Sequence, residues 1–251
     1  MTQQSSRIDD TNKPRAARVP AVLYLHGFAS GPSSTKARYF SDRLREHGVD
    51  PLVPDLNVPS FETLTLSSQL KVIEQTLGRL DPACDLVVVG SSMGGLLATL
   101  YATRSSKARA LVLLAPGFGL PRRWHALLGS EGLDRWRQEG YTEVFHYALN
   151  RTARLAYDFI VDAQQYQTDN LTVCVPTLVF HGKNDETVPV EESIRFSENN
   201  PGVVELNILE DGHELIEPLP LMWQRTHSFL HELELLPTCP GVTGYQEHKF
   251  S

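Results

Sequence analysis

The residue best suited to chemistry in this chain is a serine with glycine two positions before it and two after it. The segment VVVGSSMGGL contains the pattern G-x-S-x-G, centred on Ser92. A serine hydroxyl attacks well when its oxygen projects forward while the backbone turns sharply, and such a turn needs glycine on both sides. Gly90 and Gly94 meet this need for Ser92, whereas Ser91 as nucleophile would need glycine at Val89. The pattern therefore predicts that Ser92 is a nucleophile.

A serine that attacks a carbonyl group creates a negative charge on oxygen, which backbone N–H groups must stabilise. We predict that Met93, directly after the serine, supplies one of these N–H groups. Phe28 is the candidate for the other, because Gly27 allows the loop of the segment YLHGF to bend towards the serine. We expect His26 to hold this loop by hydrogen bonds rather than to act as a base.

An acid and a base are expected to follow the serine in the order carboxylate, then histidine. Asp185 lies in the segment HGKNDETVP after an apolar run, where a carboxylate can orient an imidazole; its neighbour Glu186 is the rival for this role. His213, in the segment LEDGHE, follows a glycine and is the predicted base that takes the proton of Ser92. The other histidines, among them His146, fall in predicted helices or the tail, and most are expected at the surface.

Apolar runs rich in Val and Leu alternate along the chain with segments of helical periodicity. The predicted strands are residues 21–25, 86–89, 110–114, 177–180 and 203–209. The predicted helices are residues 36–47, 66–80, 94–102, 190–197 and 219–236. Short continuous apolar runs are typical of strands buried on both faces, and their alternation with helices predicts an α/β fold with a mostly parallel central sheet.

The segment 118–171 interrupts this alternation, because it contains no convincing strand and is rich in aromatic residues. We interpret it as a helical cap over a pocket; the alternative is a set of crossover helices whose aromatic rings pack on the sheet. The polar residues 1–20 are predicted to be a disordered arm, residues 21–236 the α/β domain and residues 237–251 a C-terminal tail.

The composition argues against several classes of partner. The chain has 251 residues and a formal net charge of −7 without a basic block, so a nucleic acid is not expected. Because residues 1–20 are polar and no apolar run approaches about 20 residues, we expect neither a secretory signal nor a membrane span. Three widely spaced cysteines favour a reducing cytoplasm. Without an H-E-x-x-H motif or a compact His/Cys/Asp cluster, we expect neither a metal nor another cofactor.

Taken together, these motifs resemble the α/β-hydrolase superfamily. The His26–Phe28 loop, the Ser92 turn, the Asp185 loop and His213 follow one another in the order of that superfamily. The segments LHGFASGPSSTKA and GSSMGG are similar to those of the small YqiA-like esterases. The resemblance implies the α/β-hydrolase fold and a carboxylester hydrolase that acts on short acyl chains without a cofactor. The long aromatic segment departs from the esterase pattern and leaves the substrate open.

The sequence therefore favours a serine hydrolase that cleaves a small-molecule ester or thioester. A hydrolase of carbon–carbon bonds, lactones or peptides remains an alternative, because the same three residues serve those reactions. A binding protein that retains the fold without catalysis is a third interpretation. The oligomeric state is not determined by these patterns.

Overall fold

A computed structural model of the chain describes residues 19–236. The predicted N-terminal arm and C-terminal tail lie outside this range, apart from Val19 and Pro20. The domain boundaries drawn from the sequence therefore stay predictions.

A five-stranded parallel sheet forms the centre of the molecule. Its strands are β1 (Ala21–Leu25), β2 (Leu86–Ser91), β3 (Ala108–Leu114), β6 (Thr177–Gly182) and β7 (Val204–Leu209). They lie in the order β1-β2-β3-β6-β7. All five predicted strands are confirmed, with ends that differ by a few residues from those expected.

Helices connect the strands. They are α1 (Thr35–Glu46), α2 (Leu66–Leu77), α3 (Met93–Ala102), α4 (Leu120–Glu139), α5 (Asp158–Ala163), α6 (Glu191–Asn199) and α7 (Leu219–Glu232). Helix α1 ends before Gly48, whose φ of 75° suits the left-handed position that follows many helices. The prediction for the last helix is too long by one turn, because α7 ends at Glu232.

Both faces of the sheet are covered, which explains the continuous apolar runs in its strands. On one face, Val88 and Leu113 belong to an apolar cluster that includes residues of α2 and α3. On the other face, Val87 and Val112 pack in a second cluster with residues of α1 and α7. The predicted α/β fold, with a mostly parallel central sheet flanked by helices, is therefore confirmed.

The segment 118–171, called the insertion below, lies between β3 and β6 and is only partly helical. Besides α4 and α5 it contains an antiparallel hairpin, β4 (Tyr141–His146) and β5 (Arg151–Ala156). The expectation that this segment holds no strand is therefore wrong. The hairpin could not be recognised in the sequence, because most of its residues are at least partly exposed and its strands therefore contain no continuous apolar run. His146, expected at the surface in a helix, ends β4 and is buried.

Candidate active site

The candidate site lies beside β1. After this strand the chain bonds first to one side of it, at Leu52, and then returns to pair with its other side as β2. Strand β1 pairs with β2 on one side, while on the other side the N–H of Tyr24 donates to the carbonyl of Leu52 at 2.8 Å. In such sheets, ligands bind in the crevice at the carboxyl ends of the strands beside this switch point. Ser92 follows β2 and Phe28 follows β1, so both residues lie at this edge.

Ser92 occupies a sharp turn between β2 and α3. Its backbone has φ 53° and ψ −117°, a conformation that L-residues rarely adopt, and its N–H donates to the carbonyl of Leu114 at 2.8 Å. A Cβ atom at Gly90 would overlap the carbonyl oxygen of Gly94, and one at Gly94 would overlap the carbonyl oxygen of Leu25. The two glycines of the motif are therefore required by close backbone contacts.

The structure brings Ser92, His213 and Asp185 into one chain of hydrogen bonds. The Nε2 atom of His213 lies 3.0 Å from Ser92 Oγ, and its Nδ1 atom lies 2.7 Å from Asp185 Oδ2. A carboxylate can only accept, so Nδ1 carries the proton and Nε2 is free to accept from the serine hydroxyl. Glu186, the rival carboxylate, is exposed, whereas Asp185 is buried.

Asp185 is held as a carboxylate by four donors. Its Oδ1 atom accepts the N–H groups of Thr187 and Val188, each at 2.8 Å. Its Oδ2 atom faces His213 and also lies 3.1 Å from His181 Nε2. Burial raises the pKa of Asp185, but hydrogen bonds from His181, His213 and the backbone outweigh it and hold the pKa below its ordinary value.

His181 is a site residue that the sequence did not predict. Its ring is fully buried, and Nε2 lies 2.8 Å from the carbonyl of Val188 besides facing Asp185. Both partners accept, so Nε2 carries the proton and Nδ1 accepts from the hydroxyl of Ser193 at 2.7 Å. The signal in the sequence was a histidine at the end of a strand, four residues before the carboxylate.

Two further features position the loop of His213. A Cβ atom at Gly182 would overlap the carbonyl oxygen of Gly212, so glycine allows the ends of β6 and β7 to approach closely. The buried ammonium of Lys36 donates to the carbonyl of Glu214 at 2.6 Å and lies 3.5 Å from that of His213. Burial lowers the pKa of Lys36 although nearby carboxylates act in the opposite direction.

The loop after β1 passes directly beside the serine. A Cβ atom at Gly27 would lie 3.2 Å from Ser92 Cβ and 3.9 Å from Ser92 Oγ, so Gly27 lies against the side chain of the serine. His26 is buried: its Nδ1 lies 3.0 Å from the carbonyl of Gly27, and its Nε2 accepts the N–H of Leu56 at 3.0 Å. These bonds fix the loop and occupy both ring nitrogens.

Aromatic rings fill the space around Phe28. Its ring centre lies 5.2 Å from that of Phe61, 5.6 Å from Phe159 and 5.9 Å from Trp124. Phe61 also lines a cavity of about 510 Å³, which does not include Ser92 or Phe28. The side chain of Phe28 is therefore part of an aromatic cluster that joins the loop after β1 to the insertion.

Residues 19–236 lack two other kinds of feature. Within that range, no group of three or more His, Cys, Asp or Glu side chains is arranged to hold a metal ion. The helices described there include none that is long and apolar enough to cross a membrane.

Comparison with known proteins gives the family. A model of the uncharacterised protein family UPF0227 matches residues 21–218, which is most of the chain. The chain belongs to this family. The match and the structural neighbours confirm the predicted resemblance to YqiA-like proteins and to the α/β-hydrolase superfamily. No curated protein matches the chain significantly.

Solved structures similar to this UPF0227 member are α/β hydrolases. Est1E from Butyrivibrio proteoclasticus with bound ferulic acid is 25% identical with a TM-score of 0.72, over 88% of this chain and 91% of that chain. Alpha/beta hydrolase domain-containing protein 10 from mouse is 20% identical with a TM-score of 0.71, over 91% and 98%. A monoacylglycerol lipase from Paleococcus ferrophilus is 15% identical with a TM-score of 0.67, over 85% and 96%. The chain is thus of the α/β-hydrolase type, with esterases and lipases among its neighbours.

Proposed function

We propose that this UPF0227 member is a serine hydrolase that cleaves small-molecule carboxylic esters or thioesters. The observation that supports this proposal is the continuous path from Asp185 through His213 to Ser92, with separations of 2.7 and 3.0 Å. Distances of this size allow a proton to pass from the hydroxyl to the imidazole. Ser92 is the nucleophile, His213 the general base and Asp185 the acid that orients it.

The first half of the reaction forms an ester on the serine. Ser92 Oγ attacks the acyl carbonyl carbon while His213 Nε2 takes the hydroxyl proton, and the carbonyl electron pair moves onto oxygen. The N–H groups of Phe28 and Met93 stabilise that oxyanion. When the intermediate collapses, the bond to the leaving group breaks, and His213 returns its proton to the departing alcohol or thiol.

The second half of the reaction regenerates the serine. Water attacks the acyl carbon of the Ser92 ester, His213 takes a proton from this water, and a second oxyanion forms in the same place. Collapse breaks the bond to Ser92 Oγ, which regains a proton from His213, and the carboxylic acid departs. Through both halves the buried Asp185 carboxylate stabilises the imidazolium.

The expected acyl group is short. The segments LHGFASGPSSTKA and GSSMGG resemble those of small esterases, and that resemblance implies short acyl chains. Esterases and a lipase among the structural neighbours are consistent with ester cleavage. We expect acetyl and butyryl esters to be better substrates than long-chain esters.

Ser92→Ala, compared with Ser91→Ala, tests the proposal. Wild type and Ser91→Ala should hydrolyse p-nitrophenyl butyrate and react covalently with a fluorophosphonate probe. Ser92→Ala should lose probe labelling, and its kcat should fall by roughly 10³-fold or more, because members of such a triad act as a unit. Mass spectrometry of the labelled peptide identifies the serine that reacted.

Two results would contradict the proposal. Wild type that neither cleaves any of a panel of esters and thioesters nor reacts with the probe is not a serine hydrolase. A Glu186→Gln variant that loses more activity than Asp185→Asn would show that the acid has been misassigned.

A further inference from the structure

The side chain of Arg123, in the first turn of α4, joins two loops that follow different strands. Its Nε donates to the carbonyl of Phe118 at 2.8 Å, and its Nη2 lies 3.4 Å from the carbonyl of Gly117. Its Nη1 donates to the carbonyl of Thr187 at 2.8 Å. One guanidinium therefore connects the loop after β3 with the turn after β6.

Both of these loops also contact residues of the proposed triad. The N–H of Gly117 donates to the carbonyl of Ser92 at 2.8 Å. The peptide between Thr187 and Val188 donates its N–H to Asp185 Oδ1 at 2.8 Å, and the carbonyl oxygen of the same peptide accepts from Arg123. Hydrogen bonds in such a series polarise one another, so the bond to Arg123 strengthens the donor that faces Asp185.

An arginine is suited to this contact because its planar guanidinium presents five N–H donors and no acceptor. The neighbouring Arg122 makes different contacts: it pairs with the carboxylates of Asp169 at 3.0 Å and Glu192 at 2.7 Å. Arg123 instead donates to backbone carbonyls, and burial lowers its pKa although Glu192 and Asp185 act in the opposite direction.

We propose that Arg123 is a positioning residue for the hydrolase reaction. It holds the turn of Asp185 against the loop behind Ser92, and thereby keeps the carboxylate aligned with His213. This inference rests on the proposed function. Because Arg123 belongs to α4, it also links the orientation of the insertion to the alignment of the triad.

Arg123→Met tests this role, with Arg122→Met as the matched control. In Arg123→Met, kcat for p-nitrophenyl butyrate should fall by about 10- to 100-fold while KM changes by less than about 3-fold, because misalignment affects the reacting groups more than substrate binding. Arg122→Met should keep both constants within about 3-fold of wild type, because Arg122 bonds to no residue of the triad and Arg195 still pairs with Glu192 at 2.8 Å. Arg123→Lys should recover part of kcat, since an ammonium can reach one of the carbonyls.

A second measurement does not depend on activity. The proton shared by His213 Nδ1 and Asp185 gives a downfield proton resonance, and the amides of Thr187 and Val188 report on the turn by hydrogen exchange. Arg123→Met should broaden or remove the resonance and speed exchange at both amides, whereas Arg122→Met should resemble wild type. Circular dichroism establishes that each variant is folded.

The outcomes separate this inference from the proposed function. Wild type without hydrolase activity, but with a resonance that Arg123→Met removes, would refute the proposed function and leave the positioning role supported. Arg123→Met with unchanged kcat, resonance and amide exchange would refute the positioning role. If Arg123→Met does not fold, Arg123→Lys provides the test of the positioning role. Wild-type kcat in Arg123→Lys, together with wild-type amide exchange at Thr187 and Val188, would refute that role.

Discussion

The central sheet and the hairpin of the insertion are both built from hydrogen-bonded strands, but they lie in different environments. Every residue of β2 and β6 is buried. In the hairpin only His146 of β4 and Leu155 of β5 are buried, and the remaining residues are at least partly exposed. Backbone pairing is common to both regions, so we expect them to differ in stability through what their side chains contact.

The two regions are consequently sensitive to different changes. In and next to the sheet, backbone groups approach so closely that an added Cβ atom at Gly94 in α3 or Gly182 in β6 would overlap a carbonyl oxygen. The hairpin instead depends on a few anchoring bonds. Trp136 Nε1 donates to the carbonyl of Leu155 at 3.0 Å, and the N–H of Ala156 donates to the carbonyl of Glu62 at 2.8 Å. Added volume should disturb the sheet, while loss of an anchor should disturb the hairpin.

A pair of phenylalanines should show the largest contrast in stability. Phe180 in β6 is fully buried, whereas Phe145 in β4 is 48% exposed. Phe180→Ala should lower the free energy of unfolding by about 3–5 kcal/mol, because it leaves a cavity in the core. Phe145→Ala should change it by less than about 0.5 kcal/mol. Urea denaturation measures both values, and similar losses in the two variants would show that the hairpin is packed as tightly as the sheet.

Gly94→Ala should damage both stability and activity. The new Cβ atom would meet the carbonyl oxygen of Leu25 and lie 2.7 Å from that of His26, so β1 and the loop of Phe28 must move. Overpacking of this kind costs about 1–3 kcal/mol, and a displacement of about 1 Å at the site lowers kcat/KM by about 10²-fold.

Gly31→Ala is the matched control for Gly94→Ala. Its Cβ atom would lie 3.4 Å from that of Ala148, at the edge of ordinary contact, so ester hydrolysis should stay near the wild-type rate. Wild-type kcat/KM in Gly94→Ala would contradict the close approach of α3 and β1.

Trp136→Phe tests the anchor of the hairpin. Trp136 is buried, and the substitution removes the bond from its indole N–H to the carbonyl of Leu155. Loss of one such hydrogen bond costs about 0.5–1.5 kcal/mol. The loss should appear as faster amide hydrogen exchange in β5, with a smaller acceleration of exchange in β2. Equal acceleration in β2 and β5 would mean that the hairpin and the sheet unfold as one unit.

The contrast in burial also explains how much of the fold could be predicted. The strand at residues 177–180 was recognised because burial on both faces selects a continuous apolar run. Strand β5, with the sequence RTARLA, carries two arginines and buries one side chain, so its pattern resembles that of a loop. The hairpin turn, YALN, has no glycine, and its left-handed residue is Asn150 with φ 49°. Two signals usually reveal a hairpin: a turn that contains glycine, and strands of alternating apolar residues on either side of it. This turn has no glycine, and β5 lacks the alternating pattern.

The candidate site could be predicted where the proposed chemical role restricts the residue type. The proposed nucleophile Ser92 was chosen because two glycines define one frame, and the proposed base His213 because a glycine precedes it in a loop. The residues that hold them were missed, since Arg123 and Lys36 bind backbone carbonyls, which every residue possesses. A contact of that kind leaves no pattern in the sequence, and only the fold reveals which carbonyls lie within reach.

A pair of histidines, the buried His146 and the half-buried His227, should give the smallest effect, visible only in acid. Burial lowers the pKa of His146 in the insertion, and it lowers that of His227 in α7, where the neighbouring His47 and His231 add to the shift. Above the ordinary histidine pKa of about 6.5 both rings are neutral in the folded and unfolded chains. As the pH falls through that value towards the lowered pKa, the unfolded chain binds more protons and stability is lost.

The structure also predicts where each histidine acts. The Nδ1 atom of His146 accepts the N–H of Leu149 at 3.3 Å, and protonation of the ring opposes this bond. Amides of β4 and β5 should therefore lose protection at pH 5.5, once their exchange rates are corrected for the effect of pH on intrinsic exchange. His146→Gln should remove this sensitivity from the hairpin, and His227→Gln should remove it from α7. The exposed His125→Gln is the control. Asp185 does not interfere, because the stability linked to its lowered pKa is lost only below about pH 5. Acid sensitivity that persists in the hairpin of His146→Gln would show that another group controls its anchoring.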